Sequence, residues 1–79
     1  LIYKAFPNPV QNEIFLNFSR PILTLPDFRI IDMSGKVVNR GKIRNDKIST
    51  NGLQSGIYIL QVFDAGKLIG KPFKFYKHF

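Results

Sequence analysis

The chain has 79 residues, of which 12 are basic and five acidic, so its formal net charge is +7. It contains no cysteine, which excludes disulfide bridges, thiol nucleophiles and thiolate metal sites. A chain of this size builds one small core with a stability of only ~4–12 kcal/mol, and it leaves little volume for a cavity. The positive charge favours contact with acidic surfaces, but charge alone does not choose among nucleic acid, anionic polysaccharide and protein.

The longest apolar run, residues 57–60, is far shorter than the ~20 residues that a membrane-spanning helix needs. The chain begins at Leu1, without an initiator methionine or the features of a secretory signal peptide. The sequence therefore predicts no transmembrane segment. Residues 1–79 are expected to be a single domain that forms part of a longer protein.

Aromatic and β-branched residues occur in short bursts separated by turn formers, which predicts strands and no helix. Two prolines stiffen the segment 6–10, because each fixes φ and lacks a backbone donor. The first clear strand follows at residues 13–18, where Ile14, Leu16 and Phe18 share one face.

Residues 27–33 are predicted to form the next strand, in which Phe28 and Ile30 oppose Arg29. Ser34-Gly35 after it predicts a tight two-residue hairpin turn, because glycine tolerates positive φ.

The sequence from residue 36 to residue 56 predicts secondary structure less clearly. As one strand, residues 36–44 would have a basic outer face, whereas a turn at residues 39–41 would break that stripe. Turn formers dominate residues 45–56, so a long loop anchored by Ile48 and Leu53 is predicted there.

Residues 57–63 give the strongest strand signal, since only Gln61 is polar. This pattern is expected for a central strand covered on both faces. Residues 64–66 then turn the chain back into a last strand, 67–76. Gly70 interrupts that strand together with a proline, which predicts an edge strand or a bulge.

Six or seven short strands without a helix predict an all-β domain and favour a β-sandwich. No catalytic, metal or cofactor constellation is predicted within it. His78 is a lone histidine near the chain end, and the glycine spacings match neither a P-loop nor a dinucleotide fingerprint. The acidic residues are scattered over turns and strand ends, namely Glu13, Asp27, Asp32, Asp46 and Asp64. The sequence therefore predicts a domain that is not an enzyme.

Four sequence elements occur together in the order and spacing of a known family pattern. They are Phe6-Pro7-Asn8-Pro9-Val10, the turn residues Asp32, Gly35 and Lys36, the strand start with Leu53, Gly56, Ile57 and Tyr58, and a basic last strand with Lys71, Lys74 and Lys77. In this combination the chain resembles the C-terminal sorting domain of type IX secretion system cargo in Bacteroidetes, over essentially residues 6–77.

The resemblance implies an immunoglobulin-like β-sandwich of about seven short, mainly antiparallel strands that serves as the C-terminal address of an exported protein. In that family the parent protein first enters the periplasm, and an outer-membrane translocon recognises the sorting domain. A sortase-like protease of the cell surface usually removes the domain and can anchor the cargo. The expected location is the periplasm in transit, then the outer membrane, the cell surface or the medium.

We hypothesise that the closing hairpin, residues 56–77, holds the surface that the translocon recognises. A terminal edge strand can offer unpaired backbone groups, and lysines add charge complementarity. The recognition residues are predicted to be Gly56, Ile57, Tyr58, Lys71, Lys74 and Lys77. The other motif residues are expected to shape turns and core, namely Pro7, Asn8, Pro9, Val10, Asp32, Gly35, Lys36 and Leu53. Open edge strands could also pair two copies of the chain.

Two alternatives belong to other functional classes. An adhesion or carbohydrate-binding module would present an exposed aromatic platform formed by residues such as Tyr3, Phe15 or Tyr76. A nucleic-acid binder would combine basic residues with stacking aromatics, but no RNA-binding or oligonucleotide-binding motif is visible, so no nucleic-acid partner is predicted.

Overall fold

Seven strands make up the regular structure of residues 2–78, the part of the chain that this computed structural model describes. They are β1 (Tyr3–Phe6), β2 (Glu13–Phe18), β3 (Asp27–Asp32), β4 (Val37–Lys42), β5 (Lys47–Ser49), β6 (Gly56–Asp64) and β7 (Lys67–Lys77). One sheet has the strand order β1-β2-β5, the other has the order β4-β3-β6-β7, and the named strands all pair antiparallel. No helix occurs among the described residues, which confirms the predicted all-β sandwich.

The strand order is that of an immunoglobulin-like sandwich. β1, β2 and β5 take the places of strands A, B and E, while β3, β6 and β7 take those of C, F and G. Near the start of β6 the Tyr58 hydroxyl donates to the carbonyl oxygen of Gln54 at 2.8 Å. Immunoglobulin-like sandwiches have such a tyrosine corner at this position. The bond ties the β5–β6 connection to the core.

The core lies between the two sheets and is built from alternate residues of facing strands, because successive side chains of a strand point to opposite sides. The predicted inward residues Ile14, Leu16, Phe28 and Ile30 all belong to it. The complete set of buried apolar residues is Val10, Ile14, Leu16, Phe28, Ile30, Ile43, Ile48, Tyr58, Leu60, Val62, Ile69 and Phe75.

The predicted loop at residues 45–56 is wrong in its first part. A tight turn at Asn45 and Asp46, both with positive φ, leads into β5, which pairs with β2. Ile48 of β5 lies opposite Ile14 and is buried. The strand escaped prediction because a single apolar residue within three residues shows no alternation. Leu53 packs against the core from the rest of the loop, as predicted.

The hairpin between β3 and β4 is confirmed, but its connection is longer than the predicted two residues. Residues 33–36 link the strands, and Gly35 has a φ of +90°, which favours glycine. The possible turn at residues 39–41 does not form. β4 continues to Lys42 as the edge of its sheet.

β6 is a central strand, as predicted, and pairs with both β3 and β7. The prediction that both of its faces are covered is wrong. Tyr58, Leu60 and Val62 point into the core, whereas Ile57 on the opposite face is 45% exposed. The reason is that a sandwich has only two layers, so each sheet buries one face.

β7 is the edge strand with an irregular middle that Gly70 and Pro72 predicted. Ala65 and Gly66 both have positive φ and turn β6 back into β7. The pairing of the two strands shifts register between Leu60 and Val62. Gly70 has a φ of +60°, and a Cβ there would lie 3.4 Å from the Tyr3 ring, so a larger residue is disfavoured at this position.

Candidate functional site

The proline-rich segment before β2 covers the outer edge of β7. Val10 pairs with β7 in parallel, since its N–H donates to the Tyr76 carbonyl oxygen at 2.8 Å and its carbonyl accepts from the His78 N–H at 2.7 Å. The Asn8 side chain extends this pairing, because its Oδ1 accepts from the Tyr76 N–H at 2.9 Å and its Nδ2 donates to the Lys74 carbonyl at 3.4 Å. The Asn8 side chain thus makes the hydrogen bonds that the backbone of a neighbouring strand would make.

The proline-rich segment blocks the edge of β7 that we expected a partner to recognise. We expected the strand to offer unpaired backbone groups to a partner, but the edge groups of Lys74, Tyr76 and His78 are engaged within the chain. Farther along, the Tyr3 hydroxyl donates to the Lys71 carbonyl at 2.8 Å. A strand of a partner cannot add to this stretch unless the cover leaves. The edge of β4 is at the opposite end of the sheet, and pairing of two copies there stays a prediction.

We expect Asn8→Ala to lower the free energy of unfolding by about 1–2 kcal/mol, because two hydrogen bonds at the strand edge are lost. The uncovered edge should also increase self-association. Urea unfolding and analytical ultracentrifugation measure the two effects. Asn17→Ala is the matched control, since Asn17 lies exposed on β2 and no hydrogen bond of its side chain occurs among residues 2–78. Equal behaviour of the two variants would show that the Asn8 contacts contribute nothing.

Lys77 is not the surface charge that the sequence predicted. It is only 4% exposed, because it continues the inward face of β7 after Phe75. Its ammonium group donates to the carbonyl oxygen of Gln11 and, at 3.3 Å, to the Thr50 hydroxyl oxygen. Lys77 thereby joins the end of β7 to the segment before β2 and to the residue after β5.

Asp32 organises the connection between β3 and β4. Its Oδ1 accepts hydrogen bonds from the Ser34 hydroxyl at 2.6 Å, the Ser34 N–H at 2.9 Å and the Lys36 N–H at 3.0 Å. Hydrogen bonds from the Ser34 hydroxyl and the Lys36 amide hold the pKa of the Asp32 carboxyl below its ordinary value. The turn motif is therefore one hydrogen-bonded unit with an ionised carboxylate at its centre.

The lowered pKa predicts a stability that depends on pH. Because the Asp32 pKa is lower in the folded state, its contribution is present above the unfolded-state pKa and is lost as the pH falls through the folded-state pKa. Asp32→Asn should therefore flatten the decline in stability between about pH 5 and about pH 2. Urea unfolding over that range measures it. Asp46→Asn is the control, since no hydrogen bond or ion pair of the Asp46 carboxylate occurs among residues 2–78; an equal flattening there would contradict the assignment.

The side of the four-stranded sheet that faces away from the core, here called the outer face, has no covering layer among the described residues. Its centre is apolar, because Ile57 lies opposite Tyr76 and Ile31 lies opposite Ile59 and Val37. Ile57 is 45% and Tyr76 43% exposed. The residues of the outer face are Asp27, Arg29, Ile31, Val37, Arg40, Lys42, Ile57, Ile59, Gln61, Phe63, Leu68, Lys74 and Tyr76.

The cations of the outer face lie around this apolar centre. Lys74 is opposite Ile59, while Arg29 and Arg40 lie opposite each other on β3 and β4. None of the three has a carboxylate within ion-pair distance among residues 2–78, where the ion pairs are Lys42 with Asp27 and Lys47 with Glu13. The outer face is therefore apolar in the middle, and its margins carry more positive than negative charge, since Asp27 is its one carboxylate among residues 2–78.

The outer face includes only part of the predicted recognition set. The six residues fall into three classes of exposure: exposed Ile57, Lys71 and Lys74, half-buried Gly56, and buried Tyr58 and Lys77. Sequence reasoning missed the contribution of the two arginines, which lie far from residues 56–77 along the chain. Their alternation with apolar neighbours was visible, but only the sheet order places them beside β6.

A model of the secretion system C-terminal sorting domain family matches residues 4–73. The chain belongs to this family. The sorting domain is thus the C-terminal signal for type IX secretion, and it directs its parent protein to the cell surface or the medium through interaction with that secretion machinery. Comparisons with curated proteins and with solved structures find no match.

The remaining surface of the sorting domain gives no support to the adhesion alternative. Phe15 projects from the three-stranded sheet and contacts Phe6, whereas Tyr76 projects from the four-stranded sheet. Tyr3 is half-buried against Phe18. These aromatics therefore do not form one platform.

Residues 2–78 contain no group of three or more histidine, aspartate or glutamate side chains that could hold a metal ion. Within the same part of the chain, no helix is long and apolar enough to span a membrane.

Proposed function

We propose that the outer-membrane translocon of the type IX system recognises this sorting domain through the outer face of its closing hairpin, β6 and β7. The observation that carries the proposal is the exposure of Ile57, Lys74 and Tyr76 on adjacent strands, on a sheet face without a covering layer among residues 2–78. Exposed apolar patches with a charged rim are typical of surfaces that bind other proteins. The proposed contact surface is therefore the outer face of β7 and not its edge, which the sequence had suggested.

The shape and charge of the outer face support a protein partner. Ile57 and Tyr76 are cross-strand neighbours, and the Tyr76 ring stacks on His78 with centroids 6.2 Å apart. The opposite face of both strands packs in the core, which restrains the backbone under the patch and reduces the ordering that binding requires. Lys74 beside it favours a partner whose rim is acidic.

The proposal includes the route of the parent protein. We infer that residues 1–79 are a single domain at the C-terminus of a longer exported protein, which passes through the periplasm. After translocation a sortase-like protease removes the domain and anchors the cargo at the cell surface, or the cargo enters the medium. The domain itself is an address without enzymatic activity or a cofactor.

The test is a fusion of residues 1–79 to the C-terminus of an inert periplasmic reporter, in a host that has this secretion system. We expect the reporter at the cell surface or in the medium. The double variant Ile57→Ser/Tyr76→Ser should leave most of the reporter in the periplasm. Leu23→Ser is the control, because Leu23 is an exposed apolar residue outside both sheets.

Circular dichroism of the isolated 79-residue variants shows whether each is folded before export is judged. Point substitutions are needed, because deletion of residues 72–79 would also remove the core residue Phe75. Periplasmic retention of the unmodified fusion would contradict the sorting role. Normal export of the folded double variant would contradict the outer face of the hairpin as the contact surface.

A further inference from the structure

Arg29 and Arg40 form a like-charged pair on the outer face. They occupy directly opposite positions of β3 and β4, where Cβ atoms lie ~4.5–5.5 Å apart. Like charges in such positions destabilise a sheet. Asp27, two residues along β3, does not relieve the repulsion, since it is bound to Lys42 at 2.9 Å. Two exposed arginines therefore occupy opposite positions, and neither has an ion-pair partner among residues 2–78.

An aromatic neighbour restrains Arg29. The Arg29 guanidinium carbon lies 4.6 Å from the centroid of the Phe63 ring, and a cation held over an aromatic face in this way is restrained. Gln61 lies opposite Arg29 on β6, so Arg40, Arg29 and Gln61 form a row of polar residues across three strands. The planar fork of an arginine matches a carboxylate with two parallel hydrogen bonds.

A groove with aromatic residues in its lining adjoins the two arginines. It has a volume of about 470 Å³, is open to solvent, and is lined by Phe28, Gly41, Phe63 and Gly66, by the pair, and by the ion pair of Asp27 with Lys42. A Cβ at Gly41 would come within 3.3 Å of the buried Phe28 ring, so a larger residue at this position would crowd that ring. The groove can take an apolar side chain next to the bound anion.

We propose that Arg29 and Arg40 bind the carboxylate of a glutamate or aspartate in an extended segment of a partner protein, and that an apolar side chain two residues away in the same segment enters the groove. The adjacent β4 is an edge strand, which suits an extended polypeptide. A second copy of this chain is disfavoured, because antiparallel pairing of two β4 strands around Arg40 would bring basic residues together. The inference rests on the proposed function in assigning the partner to the secretion machinery.

The first test is a titration of the ¹⁵N-labelled 79-residue chain with the peptide acetyl-Val-Thr-Glu-Thr-Val-amide, in which the glutamate and the valines share one face of the extended chain. The side-chain N–H signals of Arg29 and Arg40 are expected to shift, whereas the same peptide with glutamine for glutamate should leave them unchanged. Arg29→Gln and Arg40→Gln should each weaken binding about tenfold. Lys4→Gln, which makes the same change of net charge on the other sheet, should weaken it less than about twofold.

Thermal unfolding separates a binding role from a structural one. Removing one of two repelling charges should leave the melting temperature of Arg40→Gln unchanged or raise it, although binding is lost. A melting temperature that falls, or equal responses to the glutamate and glutamine peptides, would overturn the proposal. Inorganic phosphate or single-stranded DNA that shifts the same signals more strongly than the peptide would overturn the choice of partner.

The reporter fusion connects the site to export. Arg29→Gln/Arg40→Gln should reduce the fraction of exported reporter, whereas Lys4→Gln should not. Normal export of the double variant would overturn the use of this site by the secretion machinery and leave the sorting role intact. Retention of the unmodified fusion would contradict the sorting role, while the peptide titration would still decide whether the arginines bind a carboxylate.

Discussion

Phe75→Ala is expected to lower the free energy of unfolding by about 3–5 kcal/mol, the range for truncation of a fully buried phenylalanine. Phe75 is 1% exposed, and its ring stacks between Tyr58, at 5.8 Å, and Phe73, at 5.9 Å. A chain of this size has a total stability of only ~4–12 kcal/mol, so the loss removes much of it. Urea unfolding followed by circular dichroism measures the change.

Phe15→Ala is the matched control for this prediction. Phe15 is also a strand phenylalanine with one aromatic neighbour, Phe6, but it is 41% exposed on the opposite sheet. Its truncation creates no enclosed cavity, so we expect a loss of about 1 kcal/mol. Equal losses for the two variants would contradict the position of Phe75 at the centre of the core.

Lys77→Glu is expected to cost about 3–5 kcal/mol, because it would place an uncompensated negative charge in a buried position. The ammonium group of Lys77 donates to the Gln11 carbonyl and the Thr50 hydroxyl. An ionised carboxylate cannot donate, so it would face the Gln11 carbonyl oxygen as a second acceptor. The far-ultraviolet spectrum and the urea midpoint of the variant give the size of the effect.

Lys74→Glu makes the same change of charge three residues earlier on the same strand. Lys74 is exposed on the outer face, where water solvates either charge, so we expect a change of less than about 0.5 kcal/mol. Similar stability of the two glutamate variants would contradict the buried position of Lys77. The two variants also distinguish an effect on stability from an effect on sorting, since only Lys74 lies on the proposed recognition surface.

Lys77 and Asn8 together show how the end of β7 is secured. Lys77 attaches the strand from its inner face, and Asn8 covers it along its edge. An exposed edge strand invites pairing with other chains, and natural sheets cover or blunt such edges. The proline-rich motif therefore closes the edge of β7 within the chain.

The strands with strong alternation were predictable. β2 and β3 expose and bury successive residues in the order expected from Ile14, Leu16, Phe28 and Ile30. β5 was not predictable, because three residues are too few to show an alternation of apolar and polar side chains. Its position depends on the pairing of Ile48 with Ile14. Local patterns report which face of a strand is apolar, but they contain no information on the neighbouring strand.

The amino-acid sequence by itself determined the all-β character, the turn at Gly35, the central place of β6 and, through the joint order of four motifs, the family. Only the tertiary structure decided that Lys77 is buried, that Asn8 covers β7 and that Arg29 faces Arg40. In each case the residues involved are far apart in the sequence and are brought together by strand pairing or by the packing of the two sheets. The burial of a side chain and the distance between two charges depend on that arrangement, so residue type and sequence spacing do not determine them.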